Sequence, residues 1–123
     1  MPKPLRVLLI EDSERDAALL KLYLKRGGYD ATVERIETAE DMTAKLAGGD
    51  WDVIVSDVNL PRFGARAALD VVQASGKKVP VIVVSGEVDP AVIDDLLRAG
   101  ATQYLLKDQM AEIVAAIEKA MQA

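Results

Sequence analysis

The sequence predicts an α/β protein built as a single doubly wound parallel sheet, (βα)5. Three observations predict it. Short apolar runs alternate with amphipathic stretches from one end of the 123-residue chain to the other. The run VPVIVVS (79–85) is apolar on both faces, as a strand covered on both sides must be. The connections are only a few residues long, and strict strand–helix alternation with short connections favours a parallel sheet with helices on both faces.

The elements follow in order. LRVLLI (5–10) reads as a buried strand. SERDAALLKLYLKR (13–26) repeats apolar residues at helical spacing through Ala17, Leu20 and Leu24, with Ser13 as N-cap and Gly27 as the stop. DATVERI (30–36) alternates like an edge strand. Thr38 stands three residues before Asp41 and starts a helix over 39–47, which Gly48-Gly49 ends. DVIVS (52–56) is the third strand, and ARAALDVVQASG (65–76) is a weakly capped third helix. After the fourth strand, Asp89-Pro90 gives an N-cap with Pro at the first helical position, and the helix ends at Gly100. TQYLL (102–106) is the fifth strand. Asp108 then caps a last helix running to about Met121, with Ile113, Val114 and Ile117 on one side.

Composition narrows the function. One domain, 1–123, is expected, with no second domain, effector or linker. There is no Cys, hence no disulfide framework, thiolate metal site or thiol nucleophile. The chain has no His, which removes the commonest general base and rules the chain out as its own phosphohistidine donor. A net charge of −5 argues against a general grip on nucleic acid. No apolar run approaches the ~18 residues of a membrane span, and VLLI is too short for a signal peptide. A cytoplasmic location is expected.

Polar residues cluster at the strand ends: Glu11-Asp12 after the first, Asp57 after the third, Ser85-Gly86 after the fourth and Lys107 after the fifth. In a parallel sheet these ends share the carboxyl edge, outside which ligands bind where the strand order reverses. With the order 2-1-3-4-5, the reversal lies between strands 1 and 3, so the acidic pair and Asp57 flank the crevice. Three carboxylates balanced only by Lys107 raise one another's pKa or recruit a cation. All-oxygen donors suit a hard ion such as Mg²⁺, which takes one or two carboxylates and reaches for a phosphate. Lys107 and the Ser85 hydroxyl could then bind phosphoryl oxygens, and Asp57 could be the nucleophile of an acyl phosphate.

VLLIEDS, VIVSDVNLP, VIVVSG and YLLKD resemble, in order and spacing, the motifs of receiver domains of two-component response regulators, the CheY-like family. The match runs over essentially the whole chain. The resemblance implies a flavodoxin-like sheet of order 2-1-3-4-5 and a phosphorylation switch of a two-component or phosphorelay system. It implies Asp57 as phosphoacceptor. Asp12, Glu11 through water, and the Asn59 backbone carbonyl join it around Mg²⁺, or Mn²⁺. Ser85 and Tyr104 fall at the switch positions, Lys107 at the phosphate partner, and Asn59 and Glu87 at the positions that tune dephosphorylation. The implied donor is a sensor histidine kinase or a His phosphotransfer protein. The implied output face is 89–99, 101–106 and 109–121, open to a partner protein or to a second copy in a homodimer. No direct contact with nucleic acid or membrane is implied.

Two departures stand out. The family has Lys-Pro, often cis, where this chain has Lys107-Asp108; a cis non-Pro bond costs ~3–4 kcal/mol, so a trans bond is expected. In LPRFGARAAL the Gly falls three residues after Pro61, one earlier than usual, so the loop 61–67 is expected to be rebuilt. LP-x-F with YLLKD resembles receivers attached to, or working with, sensor histidine kinases. The alternatives are a degenerate receiver that only binds partners and a phospho-aspartate phosphatase of the haloacid-dehalogenase type. Asn59 stands where the latter needs a second carboxylate. A flavodoxin-like cofactor binder is a further class, but the acidic EDSERD would repel a phosphate.

Overall fold

The computed structural model describes residues 2–58, 64–86 and 89–122. Five parallel strands, β1 (Lys3–Ile10), β2 (Tyr29–Ile36), β3 (Val53–Asp57), β4 (Val81–Ser85) and β5 (Gln103–Leu106), form one sheet of order β2-β1-β3-β4-β5. Five helices join them: α1 (Glu14–Arg26), α2 (Ala39–Gly48), α3 (Ala65–Ser75), α4 (Pro90–Arg98) and α5 (Ile113–Gln122). The expected order 2-1-3-4-5 is therefore present, with DATVERI inside the edge strand β2.

Side-chain alternation divides the core. Leu5, Val7 and Leu9 of β1 and Val53 and Val55 of β3 face Leu20 and Leu24 of α1 and Ile113 and Ile117 of α5. Leu8, Ile10, Ile54, Val81 and Val83 face Met42 and Leu46 of α2, Leu69 of α3 and Leu96 of α4. The three central strands are apolar on both faces because both are covered.

The helix starts follow their caps. Ser13 Oγ accepts from the Asp16 amide at 3.2 Å, and Thr38 Oγ1 from Asp41 at 3.2 Å. Asp89 accepts from Ala91 at 3.1 Å, with Pro90 at the first helical position. Gly64 begins α3 without a side-chain cap, and Gly76 ends it at φ 73°, a left-handed turn that a side chain would strain.

Several boundaries differ from the sequence reading. β1 begins at Lys3 because backbone pairing with β2 carries on through polar Lys3, whose N–H reaches the Gly28 carbonyl at 2.9 Å. β3 is shifted by one residue, to Val53–Asp57, so Asp57 is its last residue. β4 begins at Val81, after Pro80, which has no N–H to give the ladder. Asp108 does not cap the last helix: Lys107–Glu112 is a 3-10 segment that bends at Gln109, and α5 begins at Ile113. The Leu106 amide is taken by Gln109 Oε1 at 3.2 Å, so the side chain closing this turn is Gln109. The Lys107–Asp108 bond is trans, as expected. No helix among the described residues is long and apolar enough to cross a membrane.

Candidate functional site

Register sets the site. Ile10 is level with Ser56, so Glu11 leaves β1 beside Asp57; Asp57 in turn is level with Val84, and Ser85 lies one residue beyond. Asp57, Glu11 and Ser85 are all buried. Burying two carboxylates side by side is costly unless a cation joins them, and the residue after β5 supplies one. Lys107 Nζ lies 2.8 Å from Asp57 Oδ2 and 3.5 Å from Glu11 Oε2.

The ammonium has a third partner. Asp16, in the first turn of α1, places Oδ2 at 2.8 Å from Lys107 Nζ. Of the three carboxylates converging on Lys107, two were expected from the sequence; the third is Asp16, whereas Asp12 is exposed at the rim. The chain turns sharply after Ile10, and the Asp12 and Ser13 amides both donate to Glu11 Oε1, at 3.1 and 3.2 Å. This draws Glu11 inward and leaves Asp12 outside. Arg35 on β2 pins the same turn through the Asp12 carbonyl at 3.2 Å. Sequence reading missed both Asp16 and Arg35. The Asp sits four residues after Asp12, one helical turn, and that spacing was the only available signal.

Burial, and then the Asp57 charge, push the Glu11 carboxyl up to about 7, against the lowering pull of the Ser13 amide and Lys107. Burial alone would lower Lys107. Its bonds to Asp16 and Asp57 and the Glu11 charge outweigh burial and hold it above the ordinary lysine range. Three carboxylates thus share one ammonium in this pocket.

Among the described residues, no three acidic, His or Cys side chains converge as a ready metal cage. The donors fit a hydrated Mg²⁺ nonetheless: they are all oxygen, two are carboxylates in excess of the available positive charge, and such an ion needs only one or two from the protein. Ser85 closes the β4 end of the site. Tyr104, half-buried on β5, packs in the layer facing α2, α3 and α4. Asn59 and Glu87 lie outside the described residues, as do residues 61–63 of the loop 61–67. Gly64, within that loop, approaches Val58 so closely that a Cβ there would lie 2.9 Å from the Val58 carbonyl oxygen.

The family model for the response regulator receiver domain matches residues 7–118. The chain belongs to that family. This receiver domain is 28% identical over 107 residues to a two-component response regulator, ORR41, of Oryza sativa subsp. japonica, covering 85% of the chain and 84% of that protein. It is 29% identical over 113 residues to the sensory/regulatory protein RpfC of Xanthomonas campestris, covering 89% of the chain but only 15% of RpfC. Its fold matches the receiver domain of a sensor histidine kinase from Pseudomonas aeruginosa, described with a magnesium ion in its active-site cleft, at TM-score 0.81 and 21% identity, covering 98% of this chain and 99% of that one. Receiver domains are signalling modules rather than metabolic enzymes, and they work with histidine kinases or phosphotransfer proteins.

Proposed function

We propose that this receiver accepts a phosphoryl group on Asp57 from a partner phosphohistidine and signals through the state of that residue. The observation that carries the reading is the 2.8 Å contact of Lys107 Nζ with the buried Asp57 carboxylate at the carboxyl edge of the sheet. An Asp57 oxygen attacks phosphorus, the phosphorus–nitrogen bond of the donor breaks, and the imidazole leaves with the electron pair. Lys107 and the Ser85 hydroxyl donate to the phosphoryl oxygens, where the transition state carries its charge.

Glu11, Asp12, Asp57 and the Asn59 carbonyl would hold Mg²⁺, or Mn²⁺. That ion supplies charge neutralisation between the carboxylates and the incoming phosphoryl group. Asn59 and Glu87 stand two residues beyond Asp57 and Ser85, where an amide and a carboxylate can position the water that later hydrolyses the acyl phosphate.

Output is a population shift. Ser85 is drawn to the phosphoryl group, Tyr104 turns inward, and the face of α4, β5 and α5 changes its affinity for a partner protein or a second copy. Val92 and Leu97 on α4 and Met121 on α5 are large apolar side chains exposed on these helices. A cytoplasmic location belongs to the same reading.

The test is incubation with Mg²⁺ and acetyl phosphate, followed by intact mass. One added phosphoryl group is expected, and none in Asp57→Asn. An unmodified wild-type protein that also fails to bind Mg²⁺ refutes the reading.

A further inference from the structure

We propose that Asp16 is a positioning residue for this transfer: it holds the Lys107 ammonium at the mouth of the site, shared with Asp57, in place for the incoming phosphoryl oxygens. The inference rests on the reading of Asp57 as acceptor and Lys107 as its phosphoryl partner.

An ammonium has three N–H donors. Two meet Asp57 and Asp16, each at 2.8 Å, and the third leans toward Glu11 at 3.5 Å. These carboxylates lie at different depths. The side chains of Glu11 and Asp57 are 7% and 10% exposed, whereas Asp16 is 30% exposed and Lys107 32%. Asp16 is therefore the one of the three that pulls Lys107 toward solvent, the side from which a donor arrives.

An acidic residue in a first helical turn also complements the helix dipole, as Glu14 beside it can. That role does not require contact with a side chain 91 positions away in sequence. The position of Asp16 is itself fixed, because its amide is the one that caps onto Ser13 Oγ at 3.2 Å.

Without the Asp16 carboxylate, the partners left to Lys107 in this network are the two deep ones. The ammonium settles onto Asp57 and Glu11, where it neutralises the nucleophile. It must then break that contact as charge develops on the phosphoryl oxygens. Asp16 keeps one donor engaged at the mouth throughout, so Lys107 passes from the Asp57 oxygen to a phosphoryl oxygen by a short swing. The effect belongs to the transition state and falls on the maximal rate rather than on half-saturation.

The experiment measures phosphorylation by acetyl phosphate with Mg²⁺ across a concentration series. It compares wild type, Asp16→Asn, Asp16→Glu, Lys107→Met and the Asp16→Asn/Lys107→Met double variant. Asp16→Asn should lower the maximal rate about five-fold, with half-saturation unchanged within about two-fold, the scale of one typical net hydrogen bond. Asp16→Glu should restore part of the rate. On the Lys107→Met background the Asp16 change should cost nothing further, because its route of action is gone.

The Lys107 ammonium signal in proton–nitrogen NMR of the unphosphorylated proteins gives a readout independent of transfer, and it should shift or vanish in Asp16→Asn. A wild-type rate in Asp16→Asn, an equal loss on both backgrounds, or an unmoved Lys107 signal overturns the positioning role while leaving the acceptor role of Asp57 intact. A wild-type protein that takes no phosphoryl group overturns the proposed function, and this role with it.

Discussion

Raising the pH should weaken the metal-free fold through one residue, Glu11. Its carboxyl is pushed up from 4.5 to about 7 in the folded chain, by burial and by the Asp57 charge beside it. Between those two values the folded state binds the proton more tightly than the unfolded state. The resulting stability is fully present below the unfolded pKa and is lost as pH rises through about 7. At about 1.4 kcal/mol per unit, roughly 2 kcal/mol should disappear between about pH 5.5 and 8.0, a large share of a typical domain stability of ~5–15 kcal/mol. Lys107, held above the ordinary lysine range, contributes a constant across this window. The chain has no histidine to titrate in it. Urea unfolding in the presence of a metal chelator, followed by the fluorescence of the buried Trp51, measures the difference. Glu11→Gln keeps an oxygen for the Asp12 and Ser13 amides but cannot ionise, so its stability should be flat with pH. A flat wild type, or a glutamine variant that keeps the slope, refutes the assignment.

Three further changes probe the frame that carries the site. Ile54→Ala removes a fully buried side chain of β3 and should cost about 2–5 kcal/mol in urea unfolding, the usual price of such a cavity. Thr38→Ala loses the cap bond to the Asp41 amide and should cost about 1 kcal/mol by the same measurement. Gly64→Ala forces a Cβ against the Val58 carbonyl at 2.9 Å and should destabilise by about 1–3 kcal/mol. Since Val58 follows Asp57, it should also slow acetyl phosphate labelling; an unchanged urea midpoint and labelling rate would show that the approach is relaxed in solution.

Most of the fold was legible because local signals agreed with the global arrangement. Ser13, Thr38 and Asp89 read as caps and are caps, and the doubly apolar fourth run is a strand covered on both faces. Asp57, Glu11, Ser85 and Lys107 were legible as a group because each ends a strand, and a parallel sheet sends those ends to one edge. The misreadings have physical causes. Asp108 has the chemistry of an N-cap, but Gln109 reaches back to the Leu106 amide and turns the segment into a 3-10 helix. Asp16 was overlooked because an acid in a first helical turn has a sufficient local explanation. Its contact with Lys107 exists only once the chain has closed the sheet. The acidic pair divides, the amides after β1 closing onto Glu11 while Asp12 is exposed at the rim, a difference in depth that the sequence pattern does not encode.

The two-layer core has a consequence for how such a protein can change over time. The ionic contacts of Asp57 run through Lys107 to α1, on the side packed by α1 and α5, whereas Tyr104 belongs to the opposite layer. Under the proposed function, a lineage that acquires a new listener by changing the exposed α4 side chains Val92 or Leu97 leaves the ion pairs of Lys107 untouched. On the same reading, a lineage that alters α1 near Asp16 changes the partners of Lys107. Both layers are pinned to one sheet, and the proposed output face draws on both, α4 from one and α5 from the other, so under the proposed function a change in either layer reaches the other through the sheet.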